Sequence, residues 1–312
     1  MWRGMRIHCR HEPEAPHRAR LLGAVPDLTF GELADEAIDV LVAGRPTDAE
    51  IAAIRPGGAL VIPWAGLPVS TRAQALTRPD LAVYNLHHNA GIVAEHALGL
   101  LLAVSRRLVT AHQAMAKGDW RLRYADDDCP SLAGGRAVIL GMGAIGRRLA
   151  PALEALGMEV VGIRRRTPPT LDDLDALLPD TTALIVALPH TPRTDALVDA
   201  RRLAELPRRA IVVNVGRGRV IDEDALYEAL AERRLFGAGI DVWWRYPESV
   251  ESRSTTFPAR PFHELDNVVL SPHRAAHGTQ ADPLRYAHLA ELLSDLVAGR
   301  IPATRVFVDE GY

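Results

Sequence analysis

The chain has 312 residues, 48% of them hydrophobic, and a formal net charge of −3. A chain of this length and composition can bury a large core and is long enough for two domains. The near-neutral charge gives no general attraction to nucleic acid or to an acidic membrane, and the most apolar stretch, Ala97 to Val104, is too short to cross a bilayer. Cys9 and Cys129 form no CxxC pair. They predict neither a disulfide framework nor a cysteine-bound metal, and we expect a reducing, cytoplasmic setting.

The chain up to residue 90 alternates strand-like and helix-like segments, which predicts a small α/β domain. We expect one short strand near Met5 to His8 and otherwise irregular structure from Met1 to Phe30, because that segment is rich in Arg, His and Pro. The later segments are the strands Ile38 to Ala43, Ala59 to Ile62 and Leu81 to Tyr84 and the helices Thr47 to Ile54 and Ser70 to Leu76.

One long amphipathic helix is predicted from Ile92 to Lys117, with Gly118 as its stop signal. Its apolar face exceeds what one neighbouring element needs, which indicates an interface between domains or between chains. Asp126, Asp127 and Asp128 follow in what we interpret as a solvated turn. No matching ligands stand nearby, so we predict no metal site.

The segment from Arg136 to Arg166 carries the strongest motif. An apolar run leads into Gly141, Gly143 and Gly146, a helical pattern follows from Ala144 to Leu156, and a second apolar run ends at Ile163. Strand, glycine turn, helix and strand in this order allow the backbone to approach a pyrophosphate while the helix N-terminus offers it unpaired N–H groups. We therefore predict that Gly141, Gly143, Ala144, Ile145 and Gly146 bind a dinucleotide.

The second strand of this unit ends in Arg164, Arg165 and Arg166. NAD-binding units usually carry an acidic residue here to bind the ribose hydroxyls. Guanidinium groups can instead bind a 2′-phosphate by paired, charge-assisted hydrogen bonds. The sequence therefore predicts NADP(H) as the preferred cofactor, with NAD(H) still possible.

Further strands and helices alternate to the end of the chain, which predicts a doubly wound parallel sheet with ligands at the carboxyl ends of its strands. Arg217 and His273 both follow predicted strands. Reduction of a 2-oxo acid needs a cation to fix the carboxylate and an acid to protonate the developing alkoxide, and this pair can supply both. The predicted elements are the strands Thr182 to Leu188, Ile211 to Val215, Gly237 to Val242 and Val268 to Leu270, and the helices Leu171 to Leu178, Asp222 to Arg233 and Asp282 to Ala298.

Several ordered motifs together resemble the D-isomer-specific 2-hydroxyacid dehydrogenase family. They are NAGIVAEHAL from Asn89, GMGAIG from Gly141, LPHTPRT from Leu188, NVGRGRVIDEDAL from Asn214, and GIDV followed by NVVLSPH. The resemblance implies a central Rossmann domain at residues 92–274, a smaller flavodoxin-like substrate-binding domain built from residues 1–91 and 275–312, and a homodimer.

By the same resemblance, Arg217 is the substrate-binding arginine and His273 the proton donor and acceptor. Backbone N–H groups of Ala65, Gly66 and Leu67 would hold the substrate carboxylate, and Trp64 with His87 and His88 are candidates for shaping the pocket. The remaining candidate cofactor contacts are Pro189, Thr194, Val215, Gly216 and Asp241.

The chain departs from the family pattern at Tyr246. The family usually has a Glu there, which pairs with the histidine and raises its pKa. A neutral tyrosine can orient the imidazole by a hydrogen bond but supplies no charge, so 2-oxo acid reduction should favour lower pH. Glu248 could replace the missing carboxylate after a loop shift, and Arg274 could favour a more anionic substrate.

Three functions stay open on this sequence. The first is an NADP(H)-preferring oxidoreductase of small 2-oxo and 2-hydroxy acids. The second keeps the fold and cofactor but acts on a formate-like or phosphonate-like anion, since formate dehydrogenases of the same superfamily also lack the Glu. The third is a non-catalytic protein that senses the dinucleotide.

Overall fold

The computed structural model describes residues 4–34, 36–125, 129–254 and 259–311. The predicted turn at Asp126, Asp127 and Asp128 lies outside these residues. The chain divides into two compact units: unit 1 consists of Met1–Asn89 and Gly278–Tyr312, and unit 2 consists of Ala90–His277. These boundaries differ by a few residues from those predicted, and the functions assigned to the two domains stay predictions.

Strands and helices alternate along most of the chain. The strands are β1 (Ile7–Cys9), β2 (Thr29–Phe30), β3 (Ile38–Val42), β4 (Ile54–Ile62), β5 (Ala82–Asn85), β6 (Arg136–Leu140), β7 (Glu159–Ile163), β8 (Thr181–Val186), β9 (Ile211–Asn214), β10 (Gly237–Ile240), β11 (Val268–Leu270) and β12 (Arg305–Val306). The α-helices are α1 (Ala15–Ala24), α2 (Asp48–Ala53), α3 (Val69–Leu76), α4 (Ala90–Ser105), α5 (Leu108–Met115), α6 (Arg121–Tyr124), α7 (Ala144–Ala155), α8 (Leu174–Leu177), α9 (Ala200–Glu205), α10 (Glu223–Ala231) and α11 (Ala281–Val297). Short 3₁₀ turns lie at Leu171–Asp173, Leu178–Asp180, Gly218–Val220, Glu251–Ser254 and Phe262–Glu264.

Unit 1 is an α/β layer structure around a sheet of order β12-β5-β4-β3-β1-β2. Its neighbouring strands are parallel except for β12, which pairs antiparallel with β5. Alternate residues of β4 face two separate apolar clusters, Ala59 and Val61 on one side and Leu60 and Ile62 on the other. Both faces of the sheet are therefore buried, as parallel sheets require.

Unit 2 holds an all-parallel sheet of order β11-β10-β9-β8-β6-β7. From β6 the chain adds β7 on one side and then crosses to β8 on the other side. This reversal is the topological switch point of a doubly wound sheet, where ligands bind outside the carboxyl ends of the strands. The predicted fold, a Rossmann domain with a second α/β domain, is confirmed.

The long helix predicted from Ile92 to Lys117 is wrong in one respect, because two helices, α4 and α5, cover this stretch. Between them Arg107 has a left-handed backbone with φ of 47°, which a right-handed helix cannot contain. Its guanidinium lies 5.1 Å from the centroid of the Phe236 ring. The apolar pattern continues through the break, so periodicity alone gave no signal of it.

The opening segment is more regular than predicted. The helix α1 begins with Pro16 in its first turn, and β2 pairs with β1. Only Leu21 of α1 is buried, so the sequence shows no apolar stripe that would reveal the helix. In the described ranges no helix is both long and apolar enough to cross a membrane.

Candidate active site

Arg217 lies in a tightly shaped loop just after β9. The side chain of Asn214 organises this loop, since its Nδ2 donates to the carbonyl of Arg217 at 3.1 Å and its Oδ1 accepts from the Gly216 N–H at 3.1 Å. A Cβ on Gly218 would lie 2.4 Å from the carbonyl carbon of Trp243, so only glycine allows the loop to approach the chain after β10. The loop therefore fixes Arg217 beside the end of β10.

Asp241 follows β10 and holds the loop that carries His273. Its side chain is 1% exposed, and its oxygens accept from the Ser271 hydroxyl at 2.5 Å, the Arg274 N–H at 2.9 Å and the Ala275 N–H at 3.1 Å. The backbone of His273 has a φ of 54°, a left-handed conformation that residues other than glycine rarely adopt. The carboxylate compensates this strain by binding the two N–H groups that follow.

His96 of α4 completes this network. Its Nε2 lies 3.0 Å from the Ser271 hydroxyl and 3.5 Å from Asp241 Oδ1. His96 and Ser271 lie within the motifs NAGIVAEHAL and NVVLSPH, but their sequence positions predict no role for them. The only available signal was that His96, next to Glu95, is one of the few polar residues of the largely apolar helix α4.

Tyr246 packs against His273 instead of hydrogen bonding to it. The two ring centroids are 5.3 Å apart with planes tilted by 46°, and the tyrosine hydroxyl accepts from the Trp243 N–H at 3.1 Å. The hydrogen bond by which Tyr246 was expected to orient the imidazole is not formed among the described contacts. The hydroxyl is hydrogen bonded to the backbone of the loop after β10 instead.

The protein environment disfavours charge on the ionisable groups of this site. Burial lowers the pKa of His273; Asp241 opposes this effect, while Arg217 and His277 add to it. Burial also lowers the pKa of Arg217 from its very high ordinary value and raises that of Tyr246. Solvent still reaches all three side chains. Arg217 stays charged because guanidinium pKa values lie so far above neutral pH, and its Nη1 donates to the Gly216 carbonyl at 2.6 Å.

The glycine turn after β6 fits the pyrophosphate of a dinucleotide. Gly143 is the N-cap of α7, whose first turn has neither a side-chain cap nor an acidic residue. A Cβ added at Gly143 would meet no atom within 4 Å, whereas one at Gly146 would lie 2.5 Å from the Gly141 carbonyl oxygen. The helix start is therefore open on one side and closely packed on the other, as anion binding at a helix N-terminus requires.

The other candidate cofactor residues lie at the same carboxyl edge of the sheet. Arg164, Arg165 and Arg166 follow β7 and are exposed. Thr194 is buried, and its hydroxyl donates to the Pro189 carbonyl at 2.7 Å, so it shapes its own loop. Val215 and Gly216 follow β9, and the Val215 N–H donates to the Val186 carbonyl at 3.0 Å.

The candidate substrate residues Ala65, Gly66 and Leu67 lie in unit 1, in the loop after β4. Asn85 supports this loop by donating from Nδ2 to the Ala65 carbonyl at 2.8 Å. Trp64 packs onto Gly44, where a Cβ would overlap the indole. Their contribution to substrate binding stays a prediction.

His87 and His88 follow β5 in unit 1. His88 is buried, and burial lowers its pKa to about 4, with Arg285 and His288 acting in the same direction. It is therefore neutral at physiological pH. A neutral, buried ring agrees better with a packing role than with a charged pocket residue.

The fold and the site together define an α/β oxidoreductase with a nicotinamide dinucleotide domain. Residues 98–275 match the family model of the D-isomer specific 2-hydroxyacid dehydrogenase NAD binding domain. The chain is 30% identical over 235 residues to the glycerate dehydrogenase of Methylorubrum extorquens, covering 74% of this chain and 72% of the relative. The chain spans only about half the length of two further curated relatives, 46% of one and 54% of the other. The chain belongs to the D-isomer specific 2-hydroxyacid dehydrogenase family, whose members are NAD(P)-dependent oxidoreductases acting on CH–OH donors.

Solved structures share the whole architecture. The D-isomer specific 2-hydroxyacid dehydrogenase of Xanthobacter autotrophicus, in complex with NADPH and MES, matches with a TM-score of 0.79, 24% identity and 99% of each chain covered. The acyclic imino acid reductase Bsp5, in complex with NADPH and D-Arg, matches with a TM-score of 0.76 and 22% identity over 97% of this chain and all of the other. At these identities the likeness shows the fold.

Proposed function

We propose that this protein transfers hydride between NADP(H) and a small anionic 2-oxo or 2-hydroxy acid. The observation that carries the proposal is the grouping of Arg217, Tyr246 and His273 after β9, β10 and β11, on the sheet whose glycine turn fits a dinucleotide. A cation and a titratable imidazole at one place are what this reaction needs.

The cofactor would be held at two places along the sheet edge. The N–H groups at the start of α7 would bind the pyrophosphate, and Arg164, Arg165 and Arg166 would bind the 2′-phosphate of NADP(H). When bound, the nicotinamide supplies or accepts hydride at the substrate C2. The Xanthobacter relative was solved with NADPH, and this chain has no acidic residue at the end of β7 to select NAD(H).

Arg217 would hold the substrate carboxylate through charge-assisted hydrogen bonds. By the family resemblance, the backbone N–H groups of Ala65, Gly66 and Leu67 are the candidate carboxylate donors of unit 1. His273 would exchange a proton with the oxygen on C2. Since the protein lowers the pKa of His273, the protonated ring needed for reduction is lost at a lower pH than for a free histidine. Reduction of 2-oxo acids should therefore weaken as pH rises, while oxidation gains the neutral base.

We also propose a homodimer and a cytoplasmic location. The exposed apolar side chains Leu108, Met115 and Trp120 support the dimer. No disulfide joins Cys9 to Cys129, and burial raises the pKa of the Cys9 thiol to about 11, which keeps that thiol protonated. Cysteines outside disulfides are typical of a reducing compartment.

Steady-state assays with glyoxylate, hydroxypyruvate, pyruvate and phenylpyruvate test the proposal, each with NADPH and with NADH. We expect turnover of at least one acid, faster with NADPH. His273→Asn should lower kcat by about 10² to 10⁴, the usual contribution of a general acid. His263→Asn, an exposed histidine ahead of β11, serves as the control.

The same assays separate the alternatives. Turnover of formate or phosphite with NADP⁺, but of none of the 2-oxo acids, would replace the proposal with the second function. Tight NADPH binding without turnover of any compound would leave only the non-catalytic sensor.

A further inference from the structure

The imidazole of His273 has little to keep it protonated. The charged groups facing it are Asp241, Arg217 and His277, and the neutral ring of Tyr246 packs on it. No hydrogen bond or ion pair joins the imidazole to any other side chain in the described part of the protein. At neutral pH it therefore presents one N–H donor and one nitrogen acceptor, without charge.

The charge of Asp241 raises the pKa of His273, but burial outweighs this effect, and the carboxylate makes no hydrogen bond to the ring. Its two oxygens already accept from the Ser271 hydroxyl and from the N–H groups of Arg274 and Ala275, and His96 lies 3.5 Å away. Three hydrogen-bond donors thus occupy its oxygens. Its carboxylate fixes the backbone around His273 and makes no hydrogen bond to the ring itself.

Tyr246 and Glu248 do not supply a carboxylate partner for the ring either. The hydroxyl of Tyr246 accepts the Trp243 N–H, and burial raises the pKa of Tyr246, so the phenol stays neutral. Glu248 is exposed and forms no hydrogen bond or ion pair within the described residues. Among the described residues, therefore, no carboxylate is hydrogen bonded to the imidazole of His273 to hold a second proton on it.

We infer that this site also reduces the protonated imines of 2-oxo acids. Its substrates would then include compounds with a C=N bond as well as the 2-oxo acids, which have a C=O bond. The inference rests on the proposed function, because it uses the same cofactor and the same contact between Arg217 and a carboxylate.

The two substrate classes differ in their need for an enzyme acid. When hydride adds to C2 of a 2-oxo acid, the carbonyl π pair moves to oxygen, which must then take a proton from the site. A protonated imine already carries this proton on nitrogen. Hydride from the reduced nicotinamide dinucleotide adds to C2, the C=N π pair moves to nitrogen, and a neutral amine and the oxidised dinucleotide result. Solvent then protonates the amine.

A neutral imidazole also fits the charge of this substrate. The N–H of a protonated imine can donate to the free nitrogen of His273, or to the second lone pair of the Tyr246 oxygen. A protonated imidazole would repel the same cation at short range. A histidine that packs on a tyrosine, instead of pairing with a carboxylate, therefore favours reduction of a protonated imine over reduction of a 2-oxo acid.

The first test supplies each of the four 2-oxo acids with NADPH, with and without methylamine, and measures the hydroxy acid and the N-methylamino acid by mass spectrometry across pH. We expect both products. Hydroxy acid formation should fall by about tenfold per pH unit above the pKa of His273, since each unit removes nine-tenths of the remaining acid. Formation of the N-methylamino acid should show no such fall.

The second test replaces Tyr246, the residue that packs on His273 and is 41% exposed. Tyr246→Glu restores a carboxylate beside His273 and should raise its pKa by about one unit or more. The ratio of hydroxy acid to N-methylamino acid should then rise about tenfold or more at pH 8. Tyr246→Gln is the matched control, because glutamine has the size of glutamate but no charge. It should keep the wild-type ratio of hydroxy acid to N-methylamino acid, whatever its total rate.

An NMR titration gives a readout independent of turnover. The His273 ring signals, assigned by their loss in His273→Asn, should titrate below pH 6.5 in the wild type and in Tyr246→Gln, and above it in Tyr246→Glu. If only hydroxy acid forms at every pH, or if Tyr246→Glu leaves the product ratio unchanged, the inference is overturned while the proposed function stands. If no acid is turned over with or without amine, both fail.

Discussion

Asp241 shows at the scale of one residue how this site is built. Sequence motifs identified it as a candidate cofactor contact, whereas the structure shows a carboxylate that accepts hydrogen bonds from the loop of His273. A backbone with φ of 54° at a histidine needs such support from its surroundings. The cofactor contact stays a prediction. The loop contacts are what the sequence alone could not indicate, since they join residues about 30 positions apart.

Asp241→Asn tests this support directly. The substitution keeps the shape but replaces one acceptor oxygen by an NH₂ group, so at least one buried donor loses its partner, at a cost of about 1–3 kcal/mol in the free energy of unfolding. Displacement of His273 should also lower kcat by about 10²-fold. Urea denaturation and steady-state kinetics measure the two effects.

Asp180→Asn is the matched control, because Asp180 is exposed and its ion pair with Arg136 is 3.3 Å long. An exposed pair contributes less than about 1 kcal/mol. Equal behaviour of the two variants would show that Asp241 does not hold the loop.

At the scale of the element, the sequence predicts a helix or strand well where one contiguous segment carries the whole pattern. The glycine turn and α7 form one contiguous segment with its own sequence pattern, and the structure contains the strand, turn, helix and strand at that place. The break at Arg107 was not foreseen, because apolar residues continue on both sides and the left-handed residue is an arginine. The contact between Tyr246 and the Trp243 N–H depends on the loop conformation after β10, which no residue pattern specifies.

The end of β7 provides the test of cofactor preference. If Arg164, Arg165 and Arg166 bind the 2′-phosphate, Arg164→Ala combined with Arg166→Ala should raise KM for NADPH by about 10-fold or more, since charge-assisted hydrogen bonds contribute about 1.5–3 kcal/mol. KM for NADH should change little because that cofactor has no 2′-phosphate. Initial-rate kinetics with both cofactors give the comparison.

Arg208→Ala provides the control for this variant. Arg208 is exposed and precedes β9, so it lies at the opposite edge of the same sheet. Equal effects on KM for NADPH and NADH in the double variant, or preference for NADH in the wild type, would refute NADP(H) selection by these arginines.

At the scale of the whole molecule, the exposed apolar side chains of unit 2 support the proposed homodimer. Leu108 is 55% exposed, Trp120 59% and Tyr124 81%, with Val109 and Met115 also exposed on α5. These side chains lie within one short stretch of sequence, from α5 to α6. Apolar side chains gathered in this way commonly mark a protein interface. Since the proposed partner is a second copy, the same residues would face it from both sides.

Sedimentation equilibrium at micromolar concentration should therefore give a mass of two chains. Leu108→Glu combined with Trp120→Glu would bury charge in the interface and should weaken association by at least about 100-fold, which corresponds to about 3 kcal/mol. Leu76→Glu is the matched control, since Leu76 is 50% exposed on α3 of unit 1, outside this stretch. A monomeric wild type, or a double variant that dimerises as well as Leu76→Glu, would exclude this surface as the dimer interface.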